Sequence, residues 1–143
     1  MWKETELAYL AGIIDGEGSI YVQGRIRFKS IHYFPRFQIV NTDRKLMEWI
    51  HKTFGGLIYD KCRKKHNPKW KMQIEWFTTR GLLDQLLPLI IPFLVTKKEH
   101  ALILIEFRKT YVKKFGSQGV PKEIQDFRID CHNRLKLLNK RGI

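Results

Sequence analysis

Between residues 19 and 29, apolar and polar side chains alternate at almost every step. Ile20, Val22, Ile26 and Phe28 fall on one side, and Tyr21, Gln23, Arg25, Arg27 and Lys29 on the other. A period of two marks a β-strand with one covered and one open face, with Gly24 as the place for a bulge. Residues 33–41 supply an antiparallel partner, Phe37 and Ile39 inward, Arg36 and Gln38 outward. A second pair follows over 57–64 and 70–77. There Trp70, Met72, Ile74 and Trp76 share one face, Lys71, Gln73 and Glu75 the other, and His66-Asn67-Pro68 forms the turn.

Helical patterns fill the intervals. They are expected over 5–15, with Thr5 as N-cap and Gly16 and Gly18 as stops, and over 44–54, between Asp43 and Gly55-Gly56. Further helices are expected over 79–88, 98–114 and 121–139, with Pro121 near the first turn of the last. Strand pairs joined by helices imply an α+β fold, αββαββα, with one four-stranded antiparallel sheet and the helices on one face. At 143 residues the chain is one domain, with a core over residues 1–115 and a helical extension over 116–143.

Charge narrows the partner. Lys and Arg number 27 against 14 Asp and Glu, a formal net charge of +13. Residues 19–78 hold thirteen of the bases and four of the acids. Self-repulsion of that size is tolerated where an anion neutralises it, nucleic acid first and an anionic membrane second. Met1 to Glu6 has two acids and no apolar run, so it does not read as a signal peptide. The longest apolar stretch, Leu82 to Val95, is broken by Asp84, Pro88 and Pro92 and does not read as a membrane span. Cys62 and Cys131 lack metal-ligand spacing. They fit a reduced intracellular chain, in a microbial cytoplasm and nucleoid or an organelle matrix, with a disulfide between them as the alternative. The five histidines show no metal-binding spacing and read as surface or packing residues, and the four tryptophans read as core.

The outward strand positions are Tyr21, Gln23, Arg25, Arg27, Lys29, Arg36, Gln38, Tyr59, Lys61, Arg63, Lys71 and Gln73. A merely solvated face usually mixes signs, whereas these residues are cations and hydrogen-bonding neutrals. Arg and Lys neutralise phosphate or pair with guanine edges, and Gln bonds adenine. A two-stranded ribbon fits the major groove of DNA but not that of A-form RNA. Ten residues of strand span ~33 Å, about one turn of duplex. Arg63-Lys64-Lys65 with Lys69 at a hairpin tip suits a phosphate clamp, while Arg134, Lys136, Lys140 and Arg141 fit a solvated helix face.

The first helix carries two stripes. Leu7, Leu10 and Ile14 are bulky and core-facing, whereas Ala8, Gly12 and Gly16 leave a face that another helix backbone can approach closely. It exits through Asp15-Gly16-Glu17-Gly18, where the helix dipole is negative and a carboxylate can seat a hard cation, or simply cap into a strand.

The nine positions Leu10-Ala11-Gly12-Ile13-Ile14-Asp15-Gly16-Glu17-Gly18 resemble the LAGLIDADG motif of homing endonucleases. Phe37-Gln38-Ile39-Val40-Asn41 and Pro92-Phe93-Leu94-Val95-Thr96-Lys97-Lys98 resemble two further blocks of that family. The resemblance implies a saddle-shaped sheet and a motif helix packed against its twin through Ala8, Gly12 and Gly16. Glu17, where many members have Asp, would bind divalent metal with the Gly16 carbonyl. Lys97, or its neighbour Lys98, would be the active-site lysine, and Asn41 and Lys45 would be polar and basic pocket residues. It implies Mg²⁺, for which Mn²⁺ or Ca²⁺ can substitute in the site, Ca²⁺ without turnover. With one motif copy, the chain would act as a homodimer on a pseudopalindromic double-stranded DNA target, leaving 3′ overhangs. The alternatives are an intron RNA-splicing maturase and a non-catalytic DNA-binding regulator on the same fold.

Overall fold

The computed structural model describes residues 1–61, 69, 71–111 and 115–140. Four helices and two hairpins alternate before a last long helix: α1 (Glu4–Glu17), β1 (Gly18–Arg27), β2 (Ser30–Asn41), α2 (Arg44–Phe54), β3 (Leu57–Lys61), β4 (Gln73–Phe77), α3 (Arg80–Ile90), α4 (Lys98–Lys109) and α5 (Lys122–Leu138). The strands form one antiparallel sheet in the order β1-β2-β4-β3. The inward face is apolar. Ile20, Val22, Phe37, Ile39, Ile74 and Trp76 are buried there against Leu10, Ile14, Met47, Ile50, Leu86 and Leu104 from the helices. The α+β architecture read from the sequence is the one that forms.

Local signals account for the helix ends. The Asp43 carboxylate accepts the Leu46 N–H at 3.1 Å and the Thr79 hydroxyl accepts the Leu82 N–H at 3.3 Å, caps that each contribute about 1 kcal/mol. Gly55 and Gly56 have φ of +84° and +82°, and a Cβ on Gly56 would strike the Phe77 carbonyl and the Trp76 indole. At the end of α1, a Cβ on Gly18 would lie 2.7 Å from the Ile14 Cα. Glycine there lets β1 leave the helix without a connecting loop.

Several expected details are corrected. Helix α1 begins at Glu4 with Lys3 in the cap position, not at Thr5, and it runs through Gly16 to Glu17. The glycine inside the last turn removes bulk but not hydrogen bonds. The β1–β2 register passes unbroken through the Gly24–Tyr33 pair, so there is no bulge. Residues Phe28 and Lys29 have positive φ and form the turn, which removes Lys29 from the strand. Ile26 and Phe28, expected inward, are 82% and 93% exposed because the hairpin runs past the edge of the helical layer. Strand β4 begins at Gln73, leaving Lys71 ahead of it. The expected turn at 66–68, and Cys62, Arg63, Lys64, Lys65, Trp70 and Arg141, lie outside the described residues.

The terminal helix is not an appendage. Cys131 and Leu135 of α5 are fully buried in the common core. Its His132 Nδ1 donates to the Val22 carbonyl at 2.6 Å, and its Asn139 amide donates to the Ile20 carbonyl at 3.0 Å. These carbonyls project from the open edge of β1, so α5 pairs an edge that would otherwise be free to recruit another strand. The same alternation turns the nitrogen of Pro35, opposite Val22, toward the side of β2 where β4 has ended. There a missing N–H costs no ladder bond. Near its start α5 is tied to α4: Arg128 lies 3.8 Å over the Tyr111 ring and donates to the Thr110 hydroxyl and carbonyl.

Candidate active site and nucleic-acid interface

The exit of α1 gathers residues from three elements. Asp15 and Glu17 stand two positions apart and face different surroundings. The Asp15 carboxylate is half-buried and accepts four bonds, from the Val95, Thr96 and Lys97 N–H groups and the Thr96 hydroxyl, at 2.8–3.2 Å. Burial alone would raise its pKa. The bonds from Val95, Lys97 and Thr96 outweigh that and hold it below the ordinary value. Asp15 therefore fixes the start of α4 against the end of α1.

That attachment places Lys97. Its Nζ donates to the Ile14 and Asp15 carbonyls at 3.0 and 3.1 Å, a cation on the negative end of the α1 dipole. Lys98 is the first residue of α4 and exposed. Of the two adjacent lysines, Lys97 is the one brought to the motif.

Glu17 is exposed at the helix end, and its Oε2 accepts from the Asn41 amide. Asn41 is itself fixed, because its Oδ1 accepts the Asp43 N–H at 2.8 Å. With both ends of the amide assigned, the Asn41 NH₂ must point at Glu17. Asn41 thus orients the carboxylate. The adjacent Gly16 is also exposed, and a Cβ there, as at Gly12, would meet nothing within 4 Å. Lys45 lies on the exposed side of α2, in a shallow depression shared with Tyr9, Asp43, Leu46 and Trp49. It flanks α1 and is not among the residues that contact Glu17.

Among the described residues no three His, Cys, Asp or Glu side chains come together as a metal cluster. The donor type at the α1 exit, a carboxylate with a backbone carbonyl beside it, suits a hard divalent cation. The donor number from one chain does not fill its shell.

The outward sheet face carries Tyr21, Gln23, Arg25, Arg27, Arg36, Gln38, Tyr59, Lys61 and Gln73, as their alternation requires. Arg25, Arg27, Tyr59 and Lys61 are exposed, and Tyr21, Gln23, Arg36, Gln38 and Gln73 are half-buried. Sequence reading missed what organises the middle of this face. Glu75 sits there 3% exposed. Its Oε2 accepts from the Tyr59 hydroxyl at 2.6 Å, and its Oε1 lies 3.8 Å from Arg36 Nη2. The bond to Glu75 is the main reason the Tyr59 pKa is raised. Arg36 also donates to Gln38 Oε1 at 3.2 Å and stacks over Phe77 at 5.4 Å. Arg80 lies 5.9 Å over Phe34 beside it. The available signal was the sign inversion at Glu75, an acid at an outward position between lysines and glutamines.

Cys131 is a buried free thiol with its pKa pushed up to about 11 by desolvation. His100 is a buried packing residue. Arg134 pairs with Glu106 and Asp130, each at 3.9 Å, which accords with a solvated helix face. No helix among the described residues is long and apolar enough to cross a membrane.

No family model and no curated protein matches the sequence. Solved structures do match. The archaeal intron-encoded homing endonuclease I-Vdi141I, complexed with DNA, superposes with a TM-score of 0.78 at 18% identity, over 98% of this chain and 87% of that one. The homing endonuclease I-CvuI, in complex with its target in the presence of Ca²⁺, gives 0.71 at 19% over the same shares. The I-SmaMI LAGLIDADG homing endonuclease, bound to cleaved DNA, gives 0.69 at 18%, over 100% of this chain but only 45% of that one.

Proposed function

We propose that this chain, which has the LAGLIDADG homing-endonuclease fold, is a site-specific double-strand DNA endonuclease that acts as a homodimer. One observation carries the reading: the α1 end from which the cationic sheet face begins carries an exposed carboxylate, Glu17, and holds a cation, Lys97, on its Ile14 and Asp15 carbonyls. The sheet would lie along the major groove, and the α1 exit would sit at the scissile phosphates.

A dimer follows from arithmetic of parts. One chain has one motif, and cutting two strands at a shared centre calls for two acids. This chain covers most of I-Vdi141I and I-CvuI but under half of I-SmaMI, as expected if a second copy supplies the rest. The open surface over Gly12 and Gly16, continued by half-buried Ala8, would receive the twin helix. Isologous pairing then implies a pseudopalindromic target.

Glu17 and the Gly16 carbonyl from each protomer, with phosphate oxygens of the DNA, would hold Mg²⁺, and Mn²⁺ or Ca²⁺ by the same donors. What the cation supplies there is Lewis-acid stabilisation of charge developing in phosphodiester hydrolysis. The protein's own part is orientation and charge. Asn41 holds the Glu17 carboxylate in one rotamer. Lys97, fixed by two carbonyls, places a permanent cation beside the negative charge of the transition state. Lys45 would neutralise a phosphate at the flank of α1. Water adds to phosphorus, the 3′ oxygen leaves with a proton, and the products are a 3′-hydroxyl and a 5′-phosphate on short 3′ overhangs.

The test is selection of cleaved sites from a randomised duplex library with Mg²⁺, alongside light scattering of the protein with and without DNA. Double-strand cuts at a sequence with twofold symmetry, made by a dimer, are expected. Absence of cleavage with Mg²⁺ and Mn²⁺, or a monomer in both states, would overturn the proposal.

A further inference from the structure

The outward face of the sheet treats its arginines unequally. Arg25 and Arg27 are exposed on β1, where flexible cations suit phosphate. Arg36 is held. Its side chain is 26% exposed and its Nη2 faces Gln38 Oε1 at 3.2 Å and Glu75 Oε1 at 3.8 Å. Its guanidinium lies over the Phe77 ring at 5.4 Å. The carboxylate that anchors it is 4% exposed and is fixed in turn by the Tyr59 hydroxyl. Among the described strand residues, Glu75 is the one acid on this face.

A buried carboxylate weakens the arginine as a phosphate ligand, because part of its charge is already countered. It improves the arginine as a reader. Bidentate pairing of a guanidinium with the O6 and N7 of guanine demands a fixed plane and direction. An arginine ordered before binding loses little rotamer freedom on contact. Arg36 Nε is buried, which limits the orientations the guanidinium can take.

We infer that Arg36 reads one guanine in each half of the DNA target, and that Glu75 is the positioning residue that aims it. The inference rests on the DNA-cleaving reading above and adds to it a specificity determinant at a named base type. It also assigns different work to similar side chains: Arg25 and Arg27 grip backbone, Arg36 selects sequence.

The experiment profiles the full-length protein on duplexes randomised across the half-site, scoring binding in Ca²⁺ and cleavage in Mg²⁺. The wild-type profile should contain one strongly preferred G·C pair per half-site. Arg36→Lys keeps the charge but loses the fork, and should lower the preference at that pair about tenfold, leaving the other positions within about twofold. Glu75→Gln should lower it at the same pair, with little change in the salt dependence of binding. Tyr59→Phe, which removes one support of Glu75, serves as a second route if Glu75→Gln does not fold. A loss spread evenly over the site, or no loss at any guanine, overturns the assignment while leaving the endonuclease standing. A wild-type profile with no sequence preference at all overturns the site-specific reading on which the inference rests.

Discussion

The exit of α1 and the middle of the outward sheet face each hold a carboxylate among cations, and the protein treats the two in opposite ways. Glu17 is exposed and bonded by one neutral donor, Asn41. Glu75 is buried and engaged by a hydroxyl and a guanidinium. Asp15, two residues before Glu17, is only half-buried but accepts from four donors. A carboxylate meant to accept a cation must keep lone pairs and solvent access. One meant to hold its neighbours is desolvated and saturated. The number of donors, not residue type, sets Asp15 and Glu75 apart from Glu17.

Exchanging charge for amide at each position is the sharpest way to break that contrast. Glu17→Gln should lower cleavage by about a thousandfold or more, the scale of removing a metal-seating charge, while gel-shift affinity for the same site stays near wild type. If cleavage survives, Glu17 belongs with the structural acids and the contrast fails. Lys97→Met comes next. It should lower cleavage by about a hundredfold through lost transition-state stabilisation, and single-turnover rates on a fixed site measure it.

Asp15→Asn tests the other side. Its expected effect is on stability, about 1–2 kcal/mol after discounting for its partial exposure, read from urea denaturation. The pH dependence has a definite sign. The Asp15 pKa is lower folded than its ordinary value near 3.8, so the stabilisation is fully present above that value. It is lost as pH falls through the folded pKa. Wild type and Asp15→Asn should differ at pH 6 and converge in strong acid. A gap that persists unchanged into strong acid would mean the ionised form is not what the 95–97 loop holds.

The contrast was half legible beforehand. Alternation placed Ile20, Val22, Phe37, Ile39, Ile74 and Trp76 inward because burial on a pleated strand has a fixed period, and the sheet followed. The α1 exit was singled out by its resemblance to a nine-residue family motif, whereas spacing alone left a cation seat and a plain cap both open. Period alone failed at Ile26 and Phe28, since it cannot say where the covering helices stop. It also could not separate Asp15 from Glu17, because the donors to Asp15 arrive from residues 80 and more positions away. Glu75 was hidden for the same reason: its burial depends on Tyr59 and Arg36 folding over it from two other strands.

Tyr59→Phe is the smallest perturbation and the finest test of how tightly the sheet-face acid is held. Removing the hydroxyl takes one donor from a buried oxygen and should cost about 1 kcal/mol, given that Tyr59 is itself largely exposed. The phenol pKa is raised above its ordinary 10, chiefly by the hydrogen bond to Glu75. A raised folded pKa means the hydroxyl's contribution is complete below pH 10 and disappears as pH climbs through the folded value. The stability gap between wild type and Tyr59→Phe should therefore be flat from pH 7 to 9 and close in stronger alkali. Phenolate absorbance in the folded protein should show two tyrosines ionising late, Tyr59 and the half-buried Tyr111, and only the Tyr111 step should remain in the variant. If the late-ionising amplitude is the same in wild type and variant, Tyr59 does not carry a late step and Glu75 is held by Arg36 alone. The sheet face would then be looser than the α1 exit rather than tighter.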